Sequence, residues 1–180
     1  MTSPKILRLS LAALFLGAMP VAATAQECTL KLSAFEEATN SYTAKIGQLS
    51  RDLASLFDTY EDLDARIAKT PDACPADLSA ESAAAQLIID HLDTAQTDQL
   101  LACGQSFNQR ILTDIETARK SNDSQMVLRL GAVQQRIFAV ETDAVEISKQ
   151  AQFLEFRAKR LIEEYATLES RCSILGGIYD

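Results

Sequence analysis

Apolar residues recur at alternating steps of four and three residues over two long stretches of this chain. The first such run has the members Phe35, Thr39, Tyr42, Ile46, Leu49, Leu53, Leu56, Tyr60, Leu63 and Ile67. This heptad spacing places the apolar side chains on a single face of an α-helix. The preceding Ser33-Ala-Phe-Glu36 matches a capping box, which marks a helix start. We therefore predict a first helix over about 33–69.

A longer run with the same spacing occupies the last third of the chain. Its members are Leu130, Val133, Ile137, Val140, Ala144, Ile147, Ala151, Leu154, Ala158, Leu161, Tyr165, Leu168, Cys172 and Leu175. The poor helix formers of Ser121–Ser124 favour a turn before it, and Gly176-Gly177 is typical of a helix end. We predict a helix over 124–175, on the order of 75 Å long at 1.5 Å per residue.

The middle segment, 79–120, is less regular. The phase of Ile88, Leu92 and Ala95 does not continue into the later apolar positions, which are Leu100, Cys103, Phe107, Ile111, Ile115 and Ala118. Either this helix carries a stutter, or it breaks near 93–97, where Asp and Thr can cap a new start. A loop over 70–78, which contains Pro71 and Pro75, separates it from the first helix.

These segments predict an all-α protein. Long antiparallel helices are expected to form a three-helix, coiled-coil-like bundle in which the middle helix is either continuous or broken. About 155 residues follow the leader described next, which suits a single helical domain over 26–180.

The N-terminus has the three-part layout of a secretory signal. Lys5 and Arg8 lie in a polar start, Leu9–Met19 is almost wholly apolar, and Ala23-Thr-Ala25 is a small-x-small cleavage site. We predict a signal peptide over 1–25, cleavage after Ala25, and a periplasmic or secreted product. No later stretch reaches the roughly 20 apolar residues that a membrane span requires, so we expect no integral membrane anchor.

The four cysteines are Cys28, Cys74, Cys103 and Cys172. An even number in an exported chain favours two disulfides, and the absence of any Cys-x-x-Cys spacing disfavours a metal site. If the helices run down, up and down, the 70–78 loop lies beside the end of the last helix. This arrangement pairs Cys74 with Cys172 and leaves Cys28 for Cys103. The pairing is a hypothesis, because four cysteines allow three connectivities.

Charge and residue type exclude several functions. Without Lys5 and Arg8, 15 Lys and Arg residues face 25 Asp and Glu residues, a net charge near −10. Such a surface repels nucleic-acid phosphates. His91 is the sole histidine, its helical neighbours offer no ligand or acid–base partner, and no glycine-rich phosphate loop is present. We expect no enzyme activity, no metal and no cofactor.

Apolar residues of the last helix also lie off its heptad seam: Phe138, Val145, Phe153 and Phe156. Two interpretations are open. The helix buries a broad face inside the bundle, or these side chains are exposed and form an interaction surface for a partner or a second copy of the chain.

The favoured functional hypothesis is an exported scaffold, adaptor or chaperone-like protein that acts through protein–protein contacts. Its partner is an unidentified exported protein or the chain itself, as a homo-oligomer. The alternative is an acidic inhibitor or immunity-type protein that binds a basic exported effector. A ligand-binding helical bundle or small enzyme is the least favoured, because it requires a polar pocket around His91 or in the irregular middle segment.

Overall fold

The structure is a computed structural model that describes residues 28, 30–70, 74–75 and 78–179, without the side chains of 175–179. Within this part of the chain there are four α-helices. They are α1 (Leu32–Lys69), α2 (Ser79–His91), α3 (Thr94–Lys120) and α4 (Ser124–Tyr179). The helices pack together and two disulfides join them, which confirms the all-α, disulfide-stapled prediction. The predicted signal peptide, 1–25, lies outside the described residues.

The middle segment is broken at Leu92 and Asp93, so the second of the two interpretations holds. Both residues have extended backbone, and the Asp93 carboxylate accepts a hydrogen bond from the Gln96 backbone N–H at 3.0 Å. This is an ordinary side-chain cap for the first turn of α3. The Tyr42 hydroxyl of α1 donates to the Asp93 carbonyl at 3.0 Å. A buried tyrosine therefore ties the break to the neighbouring helix.

The predicted capping box at the start of α1 is wrong. The helix begins at Leu32, and its N-cap residue Lys31 makes no side-chain cap bond. The Glu36 carboxylate instead accepts two hydrogen bonds of 2.8 Å from the Arg136 guanidinium of α4. Because the helix begins before Ser33, that residue lies inside the first turn and cannot be the N-cap, which leaves Glu36 to make a charged contact between helices.

The predicted end of the last helix at 175 is also wrong, because α4 continues through Gly176-Gly177 to Tyr179. A glycine ends a helix when it adopts positive φ, and no glycine in the described part of the chain does so. In helical geometry a glycine costs only about 1 kcal/mol.

The turn before α4 is formed by Asn122, whose φ is 56°, and Asp123, whose carboxylate accepts a hydrogen bond from the Met126 N–H at 2.9 Å.

The heptad positions form the core. On α1 the buried members are Phe35, Thr39, Tyr42, Ile46, Leu49, Leu53 and Ile67, and on α4 they run from Ile137 to Cys172. The Tyr165 hydroxyl donates to the Leu56 carbonyl at 3.2 Å, which satisfies a polar group inside the bundle. A smaller cluster of Ile111, Ile115 and Ile137 fills the α3–α4 hairpin.

Contacts along the helices follow a simple order. From start to end, Glu36, Leu56 and Asp64 of α1 contact Arg136, Tyr165 and Arg171 of α4, respectively. Helix α4 packs against each of the other three helices. At Gly104 of α3, an added Cβ would lie 3.0 Å from the Glu141 Cγ of α4, so the missing side chain allows these helices to approach closely.

The two disulfides lie beside the two ends of α1. Cys28 bonds Cys103 beside the start of α1, and Cys74 of the loop after α1 bonds Cys172 of α4. Their sequence separations are 75 and 98 residues, and all four cysteines are paired. These are the pairs that a down, up and down arrangement gives.

Removing either disulfide is expected to lower the free energy of unfolding by up to about 4 kcal/mol, because each closes a long loop in the unfolded chain. The variants are Cys74→Ser with Cys172→Ser, and Cys28→Ser with Cys103→Ser, compared by urea denaturation. Wild-type protein in reductant is the control and should lose both contributions. An unchanged midpoint in either double variant would contradict the prediction.

Candidate interaction surface

The four off-seam residues of α4 are all exposed to solvent. The exposed fractions are 67% for Phe138, 39% for Val145, 59% for Phe153 and 65% for Phe156. The interpretation that α4 buries this broad face within its own bundle is therefore wrong. The seam on the opposite side, with Leu154 and Leu161 among its members, already fills the core.

Three exposed apolar side chains lie on one line along α4. Phe138, Phe156 and Ile174 follow each other at equal sequence intervals. Each interval corresponds to about five helical turns. Val145 lies within about 20° of the same line, from a rotation of about 100° per residue. We call these four residues the outer face of α4. Sequence reasoning missed Ile174, although its regular spacing from Phe156 was readable.

Phe153 is turned from this line toward α1, where it borders an open groove of about 410 Å³. Phe57, Tyr60, Glu61, Phe153, Phe156, Arg157, Arg160 and Glu164 line it. The guanidinium of Arg157 lies 4.3 Å from the ring centre of Phe57 and 5.8 Å from that of Phe153. Arg157 thus bridges an aromatic ring on each helix through cation–π contacts.

Helical spacing explains most of this groove. Phe153 and Arg157 are one helical turn apart, so they are neighbours on the surface of α4. Phe57 follows Leu56, whose carbonyl accepts the Tyr165 hydroxyl and so fixes the height of α1 against α4. Sequence reasoning did not identify Phe57 or Arg157, because their proximity depends on which turns of two distant helices are adjacent.

The charges around the groove are mostly paired on α4. Arg160 contacts Glu164 at 2.8 Å, and Lys159 contacts Glu155 at 2.6 Å. Burial, and then the negative charges of Asp64 and Glu164, raise the pKa of Tyr60 above its ordinary value of 10.0. Its hydroxyl therefore stays protonated at neutral pH and can donate a hydrogen bond.

His91 is the last residue of α2. It is exposed, and its Nδ1 lies 2.6 Å from the Leu87 carbonyl of its own helix. An open groove of about 460 Å³ beside it is lined by Leu49, Asp52, Ser55, Leu56, Ala84, Leu87, Ile88 and His91. The Asp52 carboxylate there accepts a hydrogen bond from Gln48. Across the described residues, no group of three or more His, Cys, Asp or Glu side chains could hold a metal ion.

No family model, curated protein or solved structure matches this chain. Among the helices that the structure describes, none is both long enough and apolar enough to cross a membrane.

Replacing Arg157 with Ala should lower the free energy of unfolding by about 0.5–1 kcal/mol, because its cation–π contacts join α1 to α4. Arg157→Lys is the matched control, which keeps the charge and should lose less. Urea denaturation measures both. Equal stability of wild type and Arg157→Ala would show that the bridge contributes nothing.

The raised pKa of Tyr60 predicts a loss of stability at high pH. In the unfolded chain Tyr60 ionises near pH 10, whereas in the folded protein it resists ionisation, so stability is full below pH 10 and falls as pH rises beyond it. Tyr60→Phe should reduce the decrease in the free energy of unfolding with rising pH. Tyr42 and Tyr165 have pKa values raised mainly by burial and supply the remainder. Unfolding measured from pH 8 to 11 tests this, and identical slopes for both proteins would refute it.

Proposed function

We propose that this protein is an exported helical scaffold or adaptor, of a chaperone-like kind, that acts through protein–protein contacts and catalyses no reaction. The observation that carries the proposal is the outer face of α4. Phe138, Phe156 and Ile174 are each more than 60% exposed, although the bundle already has a complete core on the other side of the helix. These side chains lie in line along about 54 Å of one helix, with Phe153 and Phe156 bordering the same groove, and so offer another protein a surface to cover.

The energetic reason is the cost of leaving these side chains in water. Burial of one exposed phenylalanine contributes roughly 1.5–3 kcal/mol, and the outer face offers two, with Phe153 beside them. In the isolated chain this free energy is not used. A partner that lies along α4 recovers it, and the exposed charged residues between these apolar side chains, such as Lys149 and Arg160, give that contact a direction.

Export is part of the proposal. The signal-like sequence of the first 25 residues supports it, as do two disulfides that pair all four cysteines. We further propose that the bundle is an antiparallel coiled coil and lies in the periplasm or outside the cell. The heptad seams support the coiled coil. The contacts between α1 and α4 follow the same order along both helices, so these two helices run parallel, as the first and last helices of a down, up and down bundle do, and this supports the antiparallel topology.

A second candidate is the acidic inhibitor, which the negative net charge of the chain favours. Towards the end of α1, four acidic residues fall close together: Asp58, Glu61, Asp62 and Asp64. Glu163, Glu164 and Glu169 of α4 lie at the same end of the bundle, near the contact between Asp64 and Arg171. Asp62, Asp64 and Glu164 already pair with arginines, so it is the excess of Asp and Glu over Lys and Arg in the whole chain that suits a basic partner, whose binding would weaken as salt rises.

The test is capture of partners by the mature, oxidised protein from an extract of its own compartment, at low and at high salt. Wild type is compared with a variant carrying Phe138→Ser, Val145→Ser and Phe156→Ser. The matched control carries Leu87→Ser and Leu112→Ser, two exposed leucines on other helices.

A partner that is retained at high salt by wild type and by the leucine control, and lost from the outer-face variant, is the expected result. A partner that all three proteins retain at low salt and lose at high salt would favour the acidic inhibitor. Recovery of no protein partner, with wild type monomeric in solution, would refute both candidates.

A further inference from the structure

Resting on the proposed function, we infer that the partner of the outer face is a second copy of this chain, bound in the opposite direction about a two-fold axis at Phe156. The reason is the symmetric spacing of three of its four residues; the fourth, Val145, falls opposite the exposed Thr167. Phe138 precedes Phe156 by the same interval at which Ile174 follows it. Reversing the helix about Phe156 therefore places Phe138 of one copy against Ile174 of the other, and Phe156 against itself.

One pair of oppositely charged residues has the same symmetric spacing. Lys149 lies as far before Phe156 as Glu163 lies after it, and both are exposed. At about two helical turns each, these positions stay within about 20° of the line of the outer face. Reversed pairing brings Lys149 of each copy to Glu163 of the other, so that two opposite-charge contacts flank the central phenylalanines. Parallel pairing in register would instead put like charges together.

The groove residues complete the contact. In the reversed pairing, Phe153 of one copy and Arg160 of the other lie at nearly the same height and on the same edge of the interface, as follows from the regular rotation and rise of an α-helix. An arginine over an aromatic ring is a favourable pair. Arg160 already contacts Glu164 at 2.8 Å and remains more than half exposed, so it is accessible to a ring from the partner.

The expected interface is modest in size. From Phe138 to Ile174 the contact is about 54 Å long, and a helix about 10 Å wide gives about 500 Å² for each copy, or about 1,000 Å² in total. This lies at the lower end of specific protein interfaces, so we expect a dimer that dissociates on dilution, with a dissociation constant in the micromolar range. Such a contact could form at high local concentration and yield to a tighter partner on the same face.

A charge-reversal cycle tests the pairing. Lys149→Glu and Glu163→Lys should each weaken the dimer by roughly tenfold, since each turns two attractive contacts into repulsive ones. The double variant should regain dimerisation. Residues 149 and 163 are about 21 Å apart on the same helix, so this rescue can come only from contact between copies. Lys69→Glu, the same charge change at the end of α1, is the control and should leave the dimer unchanged.

The measurement is sedimentation equilibrium of the mature, oxidised chain from about 1 to 300 μM, with circular dichroism to confirm that each variant folds. A photo-crosslinking phenylalanine analogue at position 138 is expected to join the segment around Ile174 of the other copy. A dimer whose stability ignores the charge reversals, or crosslinks from 138 to 138, would overturn the reversed pairing. A monomer at every concentration would overturn self-association, while capture of another protein through the same face would leave the proposed function intact.

Discussion

The structure depends on the burial of one seam along α4. That helix has 56 residues, about 84 Å at 1.5 Å per residue, and it packs against all three other helices. The longest of those described helices, α1, has 38 residues, so the seam is covered in parts by α1, α2 and α3. The break at Asp93 separates α2 from α3, and the Tyr42 hydroxyl of α1 holds the break in place by donating to the Asp93 carbonyl. The two disulfides join these shorter elements to each other and to the long helix.

The helical class and most residues of the core were predictable from the sequence, because heptad spacing within one segment is enough to place the apolar side chains on one face of a helix. The seam of the last helix needed only the spacing from Leu130 to Cys172. The four cysteines also indicated two disulfides, because an even number of cysteines in an exported chain, without the spacing of a metal site, favours disulfide bonds. The break near Asp93 was one of two interpretations, because the loss of phase at Ala95 fits a stutter as well as a cap.

The errors of prediction have a common cause, which is competition from contacts that are distant in sequence. Glu36 fits a capping box, but the guanidinium of Arg136, 100 residues away, takes its carboxylate. The glycines at 176 and 177 permit a helix end without requiring one, because only a positive φ would make them a stop. Phe57 and Arg157 meet because Tyr165 holds Leu56 at a particular turn of α4. None of these relations can be read from one segment.

The outer face of α4 separates what folding requires from what it does not. Every heptad position from Ile137 to Cys172 that the core uses would still be buried if Phe138, Phe156 and Ile174 were polar. Polar residues at these positions would also reduce non-specific association of the bundle with other proteins. A line of three apolar side chains at equal intervals, centred on Phe156 with Lys149 and Glu163 on either side of it, thus contributes nothing to the core of one copy. Its symmetric spacing is explained if the surface that covers it is α4 of a second copy, running in the opposite direction.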